Sequence, residues 1–193
     1  AGALVLEPEE RARERGARVL ALLLGVGNSC DAHHMTAPHA EGLGAALAVE
    51  RALSDAGTDG RAVAFFNAHG TGTVLNDLSE WRGLVRVFGD AAGEIPLTAT
   101  KASVGHLLGS SGAIEAIATV LCLLDGQVYP APGDSDLDPE TPARLVLGGP
   151  LRIEGEPGRE GVALSTSFGF GGANAAAVFG PARGAPPEGG EAR

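Results

Sequence analysis

The sequence predicts an α/β layered domain, a mixed sheet packed with helices. Three observations carry that reading. Short apolar runs of strand length alternate with longer stretches whose apolar residues recur at helical spacing. Gly57, Gly89 and Gly126 stand where those helical stretches should stop. Two β-rich runs late in the chain are separated by a short glycine loop, which marks an antiparallel pair.

Taken in order, Gly2–Leu6 reads as a short buried strand that opens mid-pattern. The chain has no initiating methionine, so a fragment or processed piece is expected. Pro8–Arg15 is a charged helical turn with proline at its first position. Arg18–Gly27 is a second strand, and Asn28–Glu41 a polar loop containing histidines. Gly44–Ala56 is a helix with Leu47 and Leu53 facing inward. Ala62–Phe66 is a strand. Asn76–Phe88 is a helix capped by Asn76 or Asp77, burying Leu84, Val85 and Phe88. Ile95–Thr100 is a strand, and Ser111 or Gly112 opens a helix that runs to Asp125. Pro130–Pro142 is a loop, and Val162–Ser167 and Asn174–Phe179 are the late strand pair. Residues 1–180 form the domain, and 181–193 a disordered tail rich in Gly, Pro, Glu and Arg.

Composition excludes several functions. The 193 residues carry 24 acidic and 14 basic side chains, a net charge of -10 that argues against binding nucleic acid through its phosphates. A hydrophobic share of 44% is too high for a disordered chain. The apolar runs Val19–Val26 and Ala116–Leu124 fall short of a membrane span of about 20 residues. Free Cys30 and Cys122, without a signal-like start, point to a reducing cytoplasm. Every basic residue except Lys101 is arginine, so that one position calls for a reason.

The chemistry concentrates at three strand ends. Asn67-Ala68-His69-Gly70-Thr71-Gly72-Thr73 puts an imidazole and two hydroxyls on one rim, where glycine lets backbone approach a ligand. Thr100-Lys101-Ala102-Ser103-Val104-Gly105-His106 follows the next strand. Ser167-Phe168-Gly169-Phe170-Gly171-Gly172-Ala173-Asn174 has glycines able to aim successive N–H groups at one point. Each motif alone has an ordinary explanation: a structural histidine, a Gly-Thr turn, a tight hairpin with a core phenylalanine. Their occurrence together at three strand ends of one domain is what points to a reaction. His33, His34 and His39 lack metal-ligand spacing and read as structural or surface residues, so no metal is expected.

These segments, with Asn76-Asp77 and Glu80 behind the first, LLGSSGAIEA at 107–116 and GVGNSCDAHHMTAP at 25–38, resemble the C-terminal half of the β-ketoacyl-(acyl-carrier-protein) synthases. Order and spacing are kept over essentially residues 1–180. The resemblance implies the C-terminal lobe of a thiolase-like fold. It implies an acyltransferase that performs decarboxylative Claisen condensation of an acyl thioester with malonyl groups on acyl carrier protein, in fatty acid or polyketide synthesis. His69 and His106 match the family's histidine pair and Lys101 its lysine, taken to lie near His106 and keep that ring neutral. Glu115 is expected to pair with Lys101. Phe170 is implied as a backbone donor of the oxyanion hole within the Gly171-Gly172 turn, and it gates the acyl pocket beside Phe168. Thr71 and Thr73 match the threonines that bind the phosphopantetheine arm. No free cofactor is implied, since the carrier protein brings the phosphopantetheine.

The departures matter as much. The family's nucleophilic cysteine belongs to an N-terminal half that this chain lacks. Cys30 has no helix starting behind it to lower its pKa, and Cys122 reads as core. Thr166 and Val74 stand where the family favours asparagine and proline. The expected partners are therefore acyl carrier protein and an N-terminal half, with the full enzyme a dimer and no membrane involved. The lobe alone should not condense anything. The alternative is a noncatalytic acyl-chain-binding partner lobe, resembling chain-length-determining subunits. A hydrolase fails for want of an activated serine or cysteine.

Overall fold

The computed structural model describes residues 1–133, 138–153 and 161–182. The tail expected over 181–193 lies, apart from its first two residues, outside the described residues. In chain order the elements are α1 (Glu9–Glu14), β1 (Ala21–Cys30), α2 (Leu43–Asp55), β2 (Val63–Asn67) and α3 (Val74–Phe88). Then come β3 (Pro96–Thr98), α4 (Lys101–Val104), α5 (Ser111–Asp125), β4 (Gln127–Val128), β5 (Arg144–Leu145) and β6 (Leu151–Arg152). The last are β7 (Val162–Gly169) and β8 (Ala173–Pro181).

Six strands form one mixed sheet in the order β1-β8-β7-β2-β3-β5, and β4 and β6 form a small antiparallel pair. β7, β2, β3 and β5 run parallel, so each crossover between them needs an intervening segment over a sheet face. β8 is antiparallel to both β7 and β1, as the two late strands predicted.

Alternation along the central strands divides the core into two layers. Phe66, Val162 and Leu164 face α2 and α3, meeting Val49, Ala52, Leu53 and Leu84. Phe65 and Ala163 face the other way, toward Cys122 of α5 and Val128. α2 lies unusually close to β1 because both contribute small residues. A Cβ on Gly27 would stand 2.0 Å from the Ala48 carbonyl oxygen, and one on Gly25 2.4 Å from that of Ala52. The outer edge of β1 is covered by the same helix: Asp55 accepts the Val26 N–H at 2.9 Å, and Arg51 donates to the Asn28 carbonyl at 2.5 Å.

Several expectations are corrected. Gly2–Leu6 is not in a sheet, and Val5 and Leu6 are 89% and 68% exposed. A strand needs a neighbouring backbone to pair with, and none of the described strands lies beside it. β1 continues through Cys30, because Asn28, Ser29 and Cys30 stay in register with Ala175, Asn174 and Ala173 of β8. α3 starts at Val74 after Thr73, with no side-chain cap, while Asn76 donates to Asp77 at 3.0 Å. Leu47 and Val85 are both 39% exposed rather than inward, although Phe88 packs edge-on against Phe66. The one-turn helix α4 and the two-residue strands β4, β5 and β6 carry too few residues to show a period. Leu108–Asp125, with mean hydropathy 1.5, is long and apolar enough by composition alone to cross a membrane. Within this fold it includes Glu115, buried in an ion pair beneath the sheet.

The close contact between α2 and β1 gives a direct test. Gly27→Ala should destabilise the chain by about 2 kcal/mol or more, through forced separation of helix and strand. Gly149→Ala, with nothing within 4 Å of its new methyl, should stay within about 0.5 kcal/mol of the original. Urea denaturation midpoints of the two variants measure the contrast.

Candidate active site

The site is built where β2, β3 and β7 end and α3, α4 and α5 meet them. β2 ends in Asn67, which is 1% exposed. Its amide donates to the Glu115 carbonyl (2.9 Å) and to the Thr119 hydroxyl (3.1 Å), and it accepts from Thr100 at 3.0 Å. That residue ties β2 to α5 and to the segment entering α4. Two residues on, His69 is buried, and the chain turns at Gly70 with φ +42°. A Cβ there would stand 2.9 Å from that of Ala99, so glycine allows both the angle and the approach.

Glu80 of α3 holds this turn. Its carboxylate accepts the His69 and Gly70 N–H groups, both at 2.9 Å, and the Thr166 hydroxyl at 2.7 Å. Thr166, on β7, also receives the His69 N–H at 3.2 Å. Burial pushes the Glu80 carboxyl up from its ordinary value, and these three hydrogen bonds oppose the shift. In the sequence Glu80 stands only behind the motif. A carboxylate four residues before buried Leu84, on the inward face of a helix, was the available signal.

Lys101, at the start of α4, reaches inward and is 7% exposed. Its ammonium donates to the His69 Nδ1 at 2.9 Å and to the His69 carbonyl at 2.6 Å, and forms an ion pair with Glu115. Three protons thus find three acceptors. The other Glu115 oxygen accepts from Ser167 at 3.2 Å. The pairing of Lys101 with Glu115 is as expected, but the histidine beside it is not. Lys101 lies against His69 rather than His106. α4 directs its first residue under the Gly70 turn, whereas His106 follows the far end of that helix beyond Gly105.

The consequence for His69 is specific. An ammonium donating to Nδ1 leaves the ring proton on Nε2. Burial first, then the positive charge of Lys101 and then His106, push the imidazole pKa down to about 3. His69 is therefore a neutral hydrogen-bond donor through the physiological range. His106 lies beside it, with ring centroids 5.6 Å apart and planes at 87°. Its Nδ1 accepts the Leu108 N–H at 3.2 Å, so its proton too is placed on Nε2. Leu108 adopts φ +51°, a left-handed conformation costing a leucine about 1 kcal/mol, to present that N–H.

Gly169 and Ala173 pair across a tight hairpin that carries Phe170, Gly171 and Gly172. The glycines have φ +84° and +77°, and the Phe170 ring is 82% exposed. The turn is pinned to the segment after β1. Gly171 N–H reaches the Met35 carbonyl at 2.7 Å, Asp31 N–H the Gly172 carbonyl at 2.8 Å, and Asn174 donates to Asp31 at 2.8 Å. Phe168 packs against His69, with centroids 5.5 Å apart. Thr71 is half-buried and Thr73 exposed at the mouth, and their hydroxyls bond to each other at 2.8 Å. Val104, Leu107, Leu108 and Met35 add exposed apolar side chains to this rim.

Outside this constellation, Cys30 is exposed at the end of β1 with no helix behind it, and Cys122 is buried, its thiol pushed up by burial. Among the described residues no group of three His, Cys, Asp or Glu is placed to hold a metal ion. His33 and His39 approach with ring centroids 5.1 Å apart, and the His34 Nδ1 accepts the Thr36 and Ala37 N–H groups at 3.1 Å.

A half-mixed sheet with helices on both faces, and paired histidines at its strand ends, defines one lobe of a thiolase-like protein. The chain belongs to the β-ketoacyl synthase family: residues 20–133 match the model described as "Beta-ketoacyl synthase, C-terminal domain". It is 40% identical over 185 residues to a chloroplastic 3-oxoacyl-(acyl-carrier-protein) synthase II of Arabidopsis thaliana, covering 94% of this chain and 32% of that protein. It is likewise 40% identical to 3-oxoacyl-(acyl-carrier-protein) synthase 2 of Vibrio cholerae, covering 93% of this chain and 42% of the relative. A solved β-ketoacyl synthase from Burkholderia phymatum superposes with TM-score 0.81 at 36% identity, over 92% of this chain and 41% of its own. The ishigamide ketosynthase/chain length factor gives TM-score 0.83 at 36% identity, over 90% and 41%. The chain thus spans about a third to two-fifths of the length of these curated relatives.

Two outcomes follow from the buried network. Lys101→Met should cost about 3–5 kcal/mol, because it strands Glu115 as an unpaired buried charge, and Lys101→Met/Glu115→Leu should recover most of that loss. Chemical denaturation of the three proteins compares them. The second concerns pH. The folded His69 binds its proton more weakly than the unfolded residue, so the unfolded state holds more protons between about 6.5 and about 3. The stability due to neutral His69 is complete above that window and lost as pH falls through it. Thermal unfolding from pH 7 to 4 should show a shallower decline in His69→Asn than in the unaltered chain.

Proposed function

We propose that this chain is the C-terminal lobe of a β-ketoacyl-(acyl-carrier-protein) synthase catalysing decarboxylative Claisen condensation. The observation that carries the reading is the pair of imidazoles adjacent in space, each with its Nδ1 engaged by a donor so that its Nε2 faces outward as the available N–H. Loss of carbon dioxide from a malonyl thioester leaves an enolate whose negative oxygen needs donors already in place. His69 and His106 supply two N–H groups there, and the low pKa of His69 keeps that ring an uncharged donor. Lys101 acts through His69, fixing its tautomer and opposing its protonation. Glu115 holds Lys101 in position through their buried ion pair.

The carbanion then attacks an acyl thioester held on a cysteine of the N-terminal half, which leaves as thiolate when the tetrahedral intermediate collapses. The Phe170 N–H, in the Asp31-anchored Gly171-Gly172 turn, is assigned to the oxyanion hole for that intermediate. Phe168 and the exposed Phe170 ring border the acyl entrance. Thr71 and Thr73 are assigned to the phosphopantetheine arm of an acyl carrier protein, and no free cofactor takes part. The apolar rim of Met35, Val104, Leu107 and Leu108 fits cover by the N-terminal half. Dimerisation is assigned to the two-lobed enzyme, and a cytoplasmic setting fits the unbridged cysteines.

A noncatalytic chain-length lobe is the rival, since a ketosynthase/chain length factor is among the similar structures. Burying Lys101, Glu115 and His69 together is costly, and a purely structural lobe has no need of it. The experiment joins this chain to an N-terminal half from a related synthase and follows malonyl-carrier decarboxylation. His69→Ala should lower the rate by about 10²- to 10³-fold, and the chain alone should give no ketoacyl product. Decarboxylation unchanged by His69→Ala would favour the structural lobe, and product from the chain alone would refute the two-lobe requirement.

A further inference from the structure

We propose that Ser111 is a positioning residue for His106, fixing which ring nitrogen carries the proton. Its value to catalysis rests on the condensing-enzyme reading, but the geometry stands without it. His69 receives its tautomer from a buried lysine. His106 has no such neighbour and lies exposed at the rim. What it has is the short segment between α4 and α5, folded back so that two groups converge on its Nδ1. The Leu108 N–H lies at 3.2 Å, and the Ser111 hydroxyl at 3.1 Å.

The hydroxyl's role follows from counting protons. Ser111 Oγ accepts the Leu107 N–H at 3.0 Å, which occupies one of its lone pairs. Its single hydrogen remains free to donate. Nδ1 already receives the Leu108 N–H, so a proton on Nδ1 would face another donor. The consistent arrangement has Ser111 donating to an unprotonated Nδ1, with the ring proton on Nε2. The two contributions differ in durability. Leu108 is 77% exposed and in a left-handed conformation, so water competes for its N–H and the strain favours release. Ser111 is 5% exposed and begins a fifteen-residue helix anchored in the core. It also holds the Leu107 backbone, and with it the turn that carries Leu108. One buried hydroxyl thus fixes both the ring and the strained peptide that faces it.

The test uses the chain as it is, labelled with ¹⁵N-histidine and observed by NMR at about pH 8.5, where an ordinary imidazole is neutral. The His106 nitrogens of the unaltered chain should report the Nε2–H tautomer. In Ser111→Ala the Nδ1–H fraction should rise about two- to tenfold, the ratio corresponding to one lost hydrogen bond, with the His69 signals unmoved. Ser111→Thr restores the hydroxyl and should restore the ratio, while Ser111→Val, of the same shape, should not. The threonine and valine pair decides the matter if the alanine variant fails to fold. An unchanged His106 tautomer in Ser111→Ala, or equal ratios in the threonine and valine variants, would overturn the proposal. A tautomer shift alongside a reassembled enzyme that never decarboxylates malonyl groups would instead sink the functional reading alone.

Discussion

The site depends on one buried ion pair, Lys101 with Glu115, and on the histidine wedged against it. An ammonium withdrawn from water persists only when every proton has an acceptor, and here the three are a carboxylate, a ring nitrogen and a carbonyl. Two of the three belong to His69. The lysine therefore does more than balance the charge of Glu115. It selects the tautomer of its neighbour and, by its charge, disfavours the imidazolium. A guanidinium, planar and wider, would not fit against one ring nitrogen and a carbonyl at the same time. In a chain that otherwise uses only arginine, this is the physical reason for its single lysine.

Much of the surrounding fold serves to hold that arrangement still. Asn67 and Thr119 couple the end of β2 to α5, which carries Glu115. Glu80 brings α3 under the backbone of His69 and Gly70, and Thr166 adds β7 to the same junction. Ser167, one residue further along β7, contacts Glu115. Buried polar groups of this kind are costly unless all are satisfied, and the buried side-chain polar atoms among the described residues have partners. The second histidine is treated differently. It is held by the Ser111 hydroxyl together with the Leu108 N–H, at an exposed strained turn.

The sequence revealed the site's members better than their connections. His69, Lys101, His106 and Glu115 stood out because unusual residue types follow buried strands at close spacing. The alternation of strands and helices and the late antiparallel pair also followed from periodicity and the glycine loop. Proximity along the chain is a poor guide across a helical turn: residue 101 is nearer 106 in sequence, yet its ammonium contacts His69. Glu80, Asn67 and Thr166 act through long-range hydrogen bonds, which leave no periodic trace. The strand expected over Gly2–Leu6 has the right residues, but a strand also requires a partner, and residue pattern cannot supply one. Thr73 precedes α3 without capping it through its side chain, and the capping candidates Asn76 and Asp77 lie inside the helix.

The central claim is that His69 is a neutral donor with its proton on Nε2, held so by Lys101. Nitrogen-15 NMR of His69 at pH 6 tests it most directly, since an unperturbed imidazole is mostly protonated there. Two distinct ring-nitrogen signals are expected, with the directly bonded proton on Nε2. An imidazolium signal at that pH, or a proton found on Nδ1, would contradict it.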